Sequence, residues 1–333
     1  MTERPATRTV EPDPDRNLAL ELVRATEAAA INCSRYLGFG DKNQVDAAAV
    51  DAMRPVLGSV RMNGVVVIGE GEKDEAPMLF NGERVGDGTG SEWDIAVDPV
   101  DGTTLTAKSL PDAVSVLGVS PRGTMFDPGP AVYMQKLVVP GHLAPHVDLD
   151  APTADNLAAM ARASGRDIHN LTVAVLDRPR HTELVKEIRS AGARIRFLLD
   201  GDVAGAIMAV TPGTGVDMLI GTGGTPEGVL AACALRCLGG EIFGRLVART
   251  PQEQTAIEDA GYDLAAPLTT RDLVGGDNVF FAATGVTDGA LLRGVRFEKD
   301  QITTQSLSMR SRSGTVRLIE GRHNPARSFL INF

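Results

Sequence analysis

The segment DPVDGTT, Asp98 to Thr104, follows a short β-branched run and sets two carboxylates one turn apart. Pro99 keeps Asp98 out of helical geometry, and Gly102 allows a close backbone approach. Thr103 and Thr104 then open a helix, whose free N–H groups favour a phosphate. One turn thus supplies hard oxygen ligands for divalent cations and donors for the anion those cations polarise. A second acidic run, GEGEKDE, spans Gly69 to Glu75, with Glu70 where the preceding apolar strand ends and Glu72, Asp74 and Glu75 beyond it. Runs of this kind are usually solvated turn charges, just as Asp and Gly in a turn are usually turn chemistry. Glu70 differs in occupying the strand end itself, the position Asp98 also holds. If the two strands are neighbours, Glu70, Asp98 and Asp101 form an all-oxygen site suited to Mg²⁺ or Mn²⁺. Zinc is disfavoured, since none of the five histidines lies in these clusters.

These carboxylates need elements to position them. NLALELVRATEAAAINCSRYLG has apolar residues at helical spacing and ends in Gly38, and a second helix is expected from Asp46 to Leu57, with Asp46 near its start. Strands are expected at Val65–Ile68, at Asp94–Val97 and in AVSVLGV. Farther on, LTVAVL, RIRFLL and VDMLI are each followed by a helix-like segment, and EIFGRLV follows them. That βα rhythm implies an α/β protein with a largely parallel sheet in its second half. The turns after those three strands are DRPRH, DGD and GTGGTPEG, and ligands bind at the carboxyl ends of such strands. NVFFAAT is expected as another strand, and SLSMRSRSGTVRLIE as a hairpin across Ser313 and Gly314. The chain is divided into a flexible arm over 1–16, a metal-binding domain over 17–165 and a substrate-binding α/β domain over 166–333.

Composition sets outer bounds. A chain of 333 residues with 43% hydrophobic and 23% charged residues can bury an ample core. The net charge of −10 leaves no broad basic surface, so nucleic acid is not expected as a partner, whereas a small phosphorylated substrate needs only a local pocket. Cys33, Cys233 and Cys237 are an odd number in a long chain, which argues against a disulfide framework and for a reducing cytoplasm. Cys233 and Cys237 stand four apart on an expected helix, but no partner pair completes a zinc set, so buried thiols are the simpler reading. The N-terminal residues do not read as a signal peptide, and no apolar run reaches membrane-spanning length.

The acidic turns together resemble the lithium-sensitive phosphatase superfamily, which includes inositol monophosphatases. GFGDKNQVD, VIGEGEKDEAPML, AVDPVDGTT, VYMQK, DRPRH, LLDGDVAGAI, GTGGTPEG and NVFFAATGVTDG resemble, in matching order, segments of class II fructose-1,6-bisphosphatases over roughly residues 16 to 320. The resemblance implies a layered α-β-α-β-α sugar phosphatase fold, with a mixed sheet in the first half. It implies that Asp46 and Glu70 hold one Mn²⁺ or Mg²⁺ ion while Asp98, Asp101 and Glu227 hold or flank another. Substrate would meet Asp101, Gly102, Thr103, Tyr133, Arg178, Pro179, Arg180, Asp200, Gly201, Asp202 and Gly224. Arg178 and Arg180 offer planar donors for the phosphate that is not cleaved, and Asp200 and Asp202 can accept from sugar hydroxyls. For Tyr133 ordinary packing is an equal alternative, and Lys42 reads equally as a surface lysine or a group near the site. Before the AVSVLGV strand, Ser109, Leu110 and Asp112 depart from the glycine and asparagine of the family pattern.

The activity implied is metal-dependent hydrolysis of fructose 1,6-bisphosphate to fructose 6-phosphate and phosphate in gluconeogenesis. Thr103 would orient the attacking water, with Glu70 or Asp74 accepting its proton. A homo-oligomer without membrane attachment is expected. The alternatives are sedoheptulose-1,7-bisphosphate or inositol-phosphate specificity and, outside enzymes, a silent phosphosugar sensor. A dinucleotide fold fails because neither glycine-rich turn matches GxGxxG with a spaced acid.

Overall fold

The computed structural model describes residues 17–70 and 79–328. The arm expected over 1–16 and the residues Glu72, Asp74 and Glu75 lie outside them.

Two helices, α1 (Leu18–Cys33) and α2 (Lys42–Gly58), lead into β1 (Asn63–Ile68), β2 (Arg84–Val85) and β3 (Glu92–Asp101). After the short α3 (Thr103–Ala107) come β4 (Val114–Pro121), β5 (Tyr133–Pro140) and α4 (Thr153–Ser164). Then β6 (Thr172–Leu176), α5 (Thr182–Ser190), β7 (Arg194–Leu198), α6 (Val203–Val210), β8 (Met218–Gly224), α7 (Thr225–Leu238) and β9 (Gly240–Val247) alternate. The chain continues through α8 (Pro251–Asp259), α9 (Thr270–Leu273), β10 (Phe280–Gly285) and β11 (Arg296–Phe297), and ends in the hairpin of β12 (Ile302–Arg310) and β13 (Thr315–His323).

Two mixed sheets result. The first runs β11-β12-β10-β4-β3-β1-β2 with β13 on β12, and the second runs β7-β6-β8-β5-β9. In the second sheet β6, β7 and β8 are parallel, as the βα rhythm implied. β9 points the same way, because β5 lies antiparallel between it and β8. No local pattern reveals the direction of β5, because its partners are distant in the chain. For the same reason a cut at residue 165 does not follow the sheets. β5 joins the second, while β10 to β13 return to the first, where β10 pairs with β4.

Alternation along the strands separates three cores. On β3, Ile95 and Val97 pack with α1 and α2, whereas Ala96 faces α6 and α7. On β5, Met134 and Val138 face α6 and α7, and Leu137 and Val139 face α4 and α5. The layers are therefore α1/α2, first sheet, α6/α7, second sheet and α4/α5, the five-layer order implied at the outset. β4 is buried almost throughout because both its faces are covered. α2 begins earlier than expected: Asp41, not Asp46, caps it by accepting from the Gln44 N–H, which leaves Asp46 one turn inside. Ser109 and Asp112 both adopt left-handed backbone (φ +56° and +77°), the conformation glycine and asparagine favour, which accounts for the pattern from which they depart.

Cys33, Cys233 and Cys237 are buried free thiols. Burial pushes the Cys237 thiol up to about 12 and Cys233 higher still. Among the described residues no helix is long and apolar enough to cross a membrane.

The central helix α7 touches β4 where Gly118 leaves room: an added Cβ would stand 2.6 Å from Cys233 Sγ and 2.8 Å from its Cβ. Gly118→Ala is expected to destabilise the protein by about 1–3 kcal/mol through overpacking, read as a lower midpoint in urea denaturation. An unchanged midpoint would show that the two layers can separate freely.

Candidate active site

The carboxyl ends of β1 and β3 carry the acidic residues of the first sheet. These strands are parallel with Ile68 opposite Ala96, and the same register continued two residues brings Glu70 level with Asp98. Asp98 Oδ1 accepts from the Val100 N–H at 2.9 Å, closing the turn set by Pro99. The register of β3 on β4 shifts between Asp98 and Asp101, which redirects the strand end.

The second sheet brings its own strand ends to the same place. Because β5 runs in reverse, its first residue, Tyr133, stands beside Gly224 at the end of β8 and Val247 at the end of β9. The loops after β6 and β7 supply Arg178 to Arg180 and Asp200 to Asp202. At this edge Val203 N donates to Asp101 Oδ2 at 3.1 Å and Thr104 N donates to Asp200 Oδ2 at 3.2 Å, tying the loops of the two sheets together. α3 is only five residues long, so one donor expected for the anion is already used by Asp200.

Asp46, Glu70, Asp98, Asp101 and Glu227 feel one another's charge. Burial, then Asp46 and Glu227, pushes the Glu70 carboxyl up to about 7. Burial, then Asp101, Glu70 and Glu227, raises Asp98 well above the carboxylate range, and burial with Asp202 and Glu227 does the same to Asp101. Asp46 is raised by burial, partly offset by a 2.7 Å hydrogen bond from Thr103 Oγ1 and by the charge of Lys42, which is exposed at the start of α2. Glu227 is raised by burial against the pull of Lys136. Among the described residues no three acidic, histidine or cysteine groups close on a single point as a ready-made cage. What the five share is a mutual field that opposes their ionisation and that a cation reverses. Glu227 Oε2 is buried without a hydrogen-bond partner among the described residues, and an added Cβ on Gly224 would fall 1.8 Å from it. An all-oxygen set with an unsatisfied buried oxygen fits a hard divalent ion.

A cavity of about 270 Å³ adjoins this cluster, lined by Tyr133, Arg178, Arg180, Asp200, Gly201, Asp202, Gly224 and Glu227 among others. Pro179 opens the single turn between the two arginines. A larger cavity of about 820 Å³, between Gly141, Arg166 and Arg194, lies at the opposite end of the second sheet and touches none of the acidic cluster. Within the smaller cavity the roles divide unevenly. Arg178 is committed to the protein, donating to Asp200 Oδ1 at 2.6 Å, Leu199 O at 2.6 Å and Asp177 O at 3.0 Å. Arg180 donates only Nε, to Thr222 O at 2.9 Å, which leaves its terminal nitrogens without a protein partner among the described residues.

Two supporting residues lie within the VYMQK and DRPRH motifs. Lys136 of VYMQK is buried, and its Nζ meets both oxygens of Asp202 at 2.9 and 2.7 Å. A lysine at a core-facing register between Met134 and Val138 was the available signal. His181 of DRPRH joins the ends of β6 and β8, its Nδ1 at 2.7 Å from Leu176 O and its Nε2 accepting from Thr222 N at 2.8 Å. Burial lowers its pKa, and Arg180 and Arg178 lower it further, so it serves as a neutral bridge.

Comparison with known proteins identifies the family. A family model described as "Bacterial fructose-1,6-bisphosphatase, glpX-encoded" matches residues 16–323. The chain is therefore a phosphoric monoester hydrolase by class. It belongs to the GlpX-type bacterial fructose-1,6-bisphosphatase family. The fructose-1,6-bisphosphatase 1 class 2 of Escherichia coli strain K12 is 42% identical over 321 residues, covering 92% of this chain and 95% of that protein. The fructose-1,6-bisphosphatase class 2 of Shigella flexneri matches with the same identity and coverage.

Gly201 (φ +64°) lets the two sheets' loops meet, since an added Cβ would stand 2.4 Å from Asp101 Oδ1. Gly201→Ala is expected to lower turnover by about 10²-fold through misplacement of Asp101. Gly213→Ala is the control, with comparable backbone strain (φ +86°) but nothing within 4 Å of the new Cβ. Equal activities for the two variants, measured as phosphate release, would refute the role of the close approach.

Proposed function

We propose that the chain hydrolyses the 1-phosphate ester of D-fructose 1,6-bisphosphate, giving D-fructose 6-phosphate and phosphate in gluconeogenesis, with Mg²⁺ or Mn²⁺ as its ion. The observation that carries the reading is that strand and helix ends bring Asp46, Glu70, Asp98, Asp101 and Glu227 within range of one another's charge, with Glu227 Oε2 buried and unpartnered among the described residues, beside a cavity whose wall holds Tyr133 and Arg180. Metal dependence is general to the family.

On this reading Asp46 and Glu70 hold one ion, and Asp98, Asp101 and Glu227 hold or flank the other. A divalent cation held there supplies Lewis acidity to the phosphoryl group and acidifies water. Thr103, whose hydroxyl is fixed by Asp46 at 2.7 Å, orients the attacking water. Glu70, level with Asp98 at the strand ends, or Asp74 receives its proton. Arg180 is the better donor for the phosphate that stays, because Arg178 is occupied in fixing the Asp200 loop. Asp200 and Asp202 keep lone pairs for sugar hydroxyls while their protein partners hold them in place. The buried free thiols support a reducing cytoplasmic setting. Edge strand β13, which exposes Val316 and Leu318, supports assembly of several copies.

The test is phosphate release from fructose 1,6-bisphosphate with Mg²⁺, Mn²⁺ or chelator. Chelator is expected to abolish release and either ion to restore it. Asp98→Asn is expected to lower turnover by about 10²–10³-fold or more, the scale of losing one charge-stabilising group. Near-normal release from Asp98→Asn would overturn the assignment.

A further inference from the structure

Arg249 lies outside every motif that pointed to the site, yet the topology brings it there. Tyr133 opens the reversed strand β5 and pairs across to Val247, the last residue of β9. Two residues farther on, the Arg249 guanidinium carbon stands 4.3 Å from the centroid of the Tyr133 ring, closer than that of Arg180 at 5.4 Å. One ring thus has two cations near it. Each gains from the ring's quadrupole, but their like charges oppose one another, and a shared anion relieves that opposition.

Arg249 is also held in place. Glu253 accepts from its Nη2 at 2.7 Å, from its Nε at 3.4 Å and from its backbone N–H at 2.7 Å. Thr250 caps the same turn by accepting from Glu253 N at 3.1 Å. Anchoring one edge of the guanidinium this way leaves Nη1 without a partner among the described residues. The side chain is about half exposed (52%), so Arg249 flanks the substrate cavity instead of forming its floor. Arg180, on the cavity wall, likewise keeps its terminal nitrogens uncommitted. In a protein of net charge −10, two uncommitted guanidinium edges about one tyrosine form a local anion trap.

We propose that Arg249 is a specificity-determining residue: with Arg180 and Tyr133 it grips the phosphate that is not cleaved, and so selects bisphosphates over monophosphates. The inference rests on the bisphosphatase reading above. Because that phosphate keeps its contacts throughout the reaction, Arg249 acts on ground state and transition state alike and tunes KM, not kcat.

The experiment compares full-length wild type, Arg249→Gln and Arg249→Lys on fructose 1,6-bisphosphate and on p-nitrophenyl phosphate, which has no second phosphate. Arg249→Gln is expected to raise KM for the bisphosphate by about tenfold or more with kcat within about twofold, and to leave kcat/KM for p-nitrophenyl phosphate unchanged. Arg249→Lys, which keeps the charge but not the planar fork, is expected to recover part of the loss. An unchanged KM for the bisphosphate overturns the role of Arg249 and leaves the proposed function standing. An equal loss on both esters with a lowered thermal midpoint also overturns it, since that marks a purely structural role. Wild-type protein that releases no phosphate from the bisphosphate overturns both readings.

Discussion

The crowding of partly buried carboxylates, by desolvation first and mutual repulsion second, is the constraint to which the rest of this architecture answers. Asp46, Glu70, Asp98, Asp101 and Glu227 come from α2, the ends of β1 and β3, and the first turn of α7. Left to themselves such groups separate or take up protons, because burial disfavours their charged form. The fold holds them together with neutral and cationic partners placed close by. Thr103 bonds to Asp46, the Val203 N–H to Asp101, and the Val100 N–H to Asp98. Lys136, buried between the sheets, pairs with Asp202 and draws Glu227 toward its charged form. The protein thus supplies part of the compensation, and a hard cation supplies the remainder.

The five-layer arrangement explains how such a cluster is sustained. Both sheets place carboxyl ends at one edge, and α6 and α7 fill the layer between them with small and aliphatic side chains. Glycine at Gly118, Gly201 and Gly224 lets the layers and loops approach to distances that a side chain would prevent. Rigid packing matters here because the site is assembled from segments far apart in sequence. A shift of one layer against the other would move Asp101 relative to Asp200 and Asp202.

The acidic turns were legible in the sequence because their signal is local: a carboxylate at a strand end, a proline that turns the chain and a glycine that admits a neighbour. The parallel run of β6, β7 and β8 was legible for the same reason, since each crossover helix follows its strand directly. Other features escaped. Asp46 was read as lying near a helix start, but the backbone selected Asp41 as the cap. β5 and the closing hairpin were not assigned to their sheets, because their partners are set by long-range pairing. Arg249 gave no sign, since its meaning depends on Tyr133, which reaches it only through the reversed strand. Asp200 and Arg178 were seen as ligand contacts, yet the structure shows each also bonded to protein, a commitment that composition does not encode.

The account stands on the claim that the carboxylate cluster is built to hold divalent cations. Titration calorimetry of Mn²⁺ into metal-stripped wild-type protein and into Glu227→Gln, without substrate, tests it most directly. Saturable binding by wild type, weakened by about 10-fold or more when the orphaned Glu227 oxygen is replaced, is the result the account predicts. Absence of binding by wild type, or the same affinity in the variant, would contradict it.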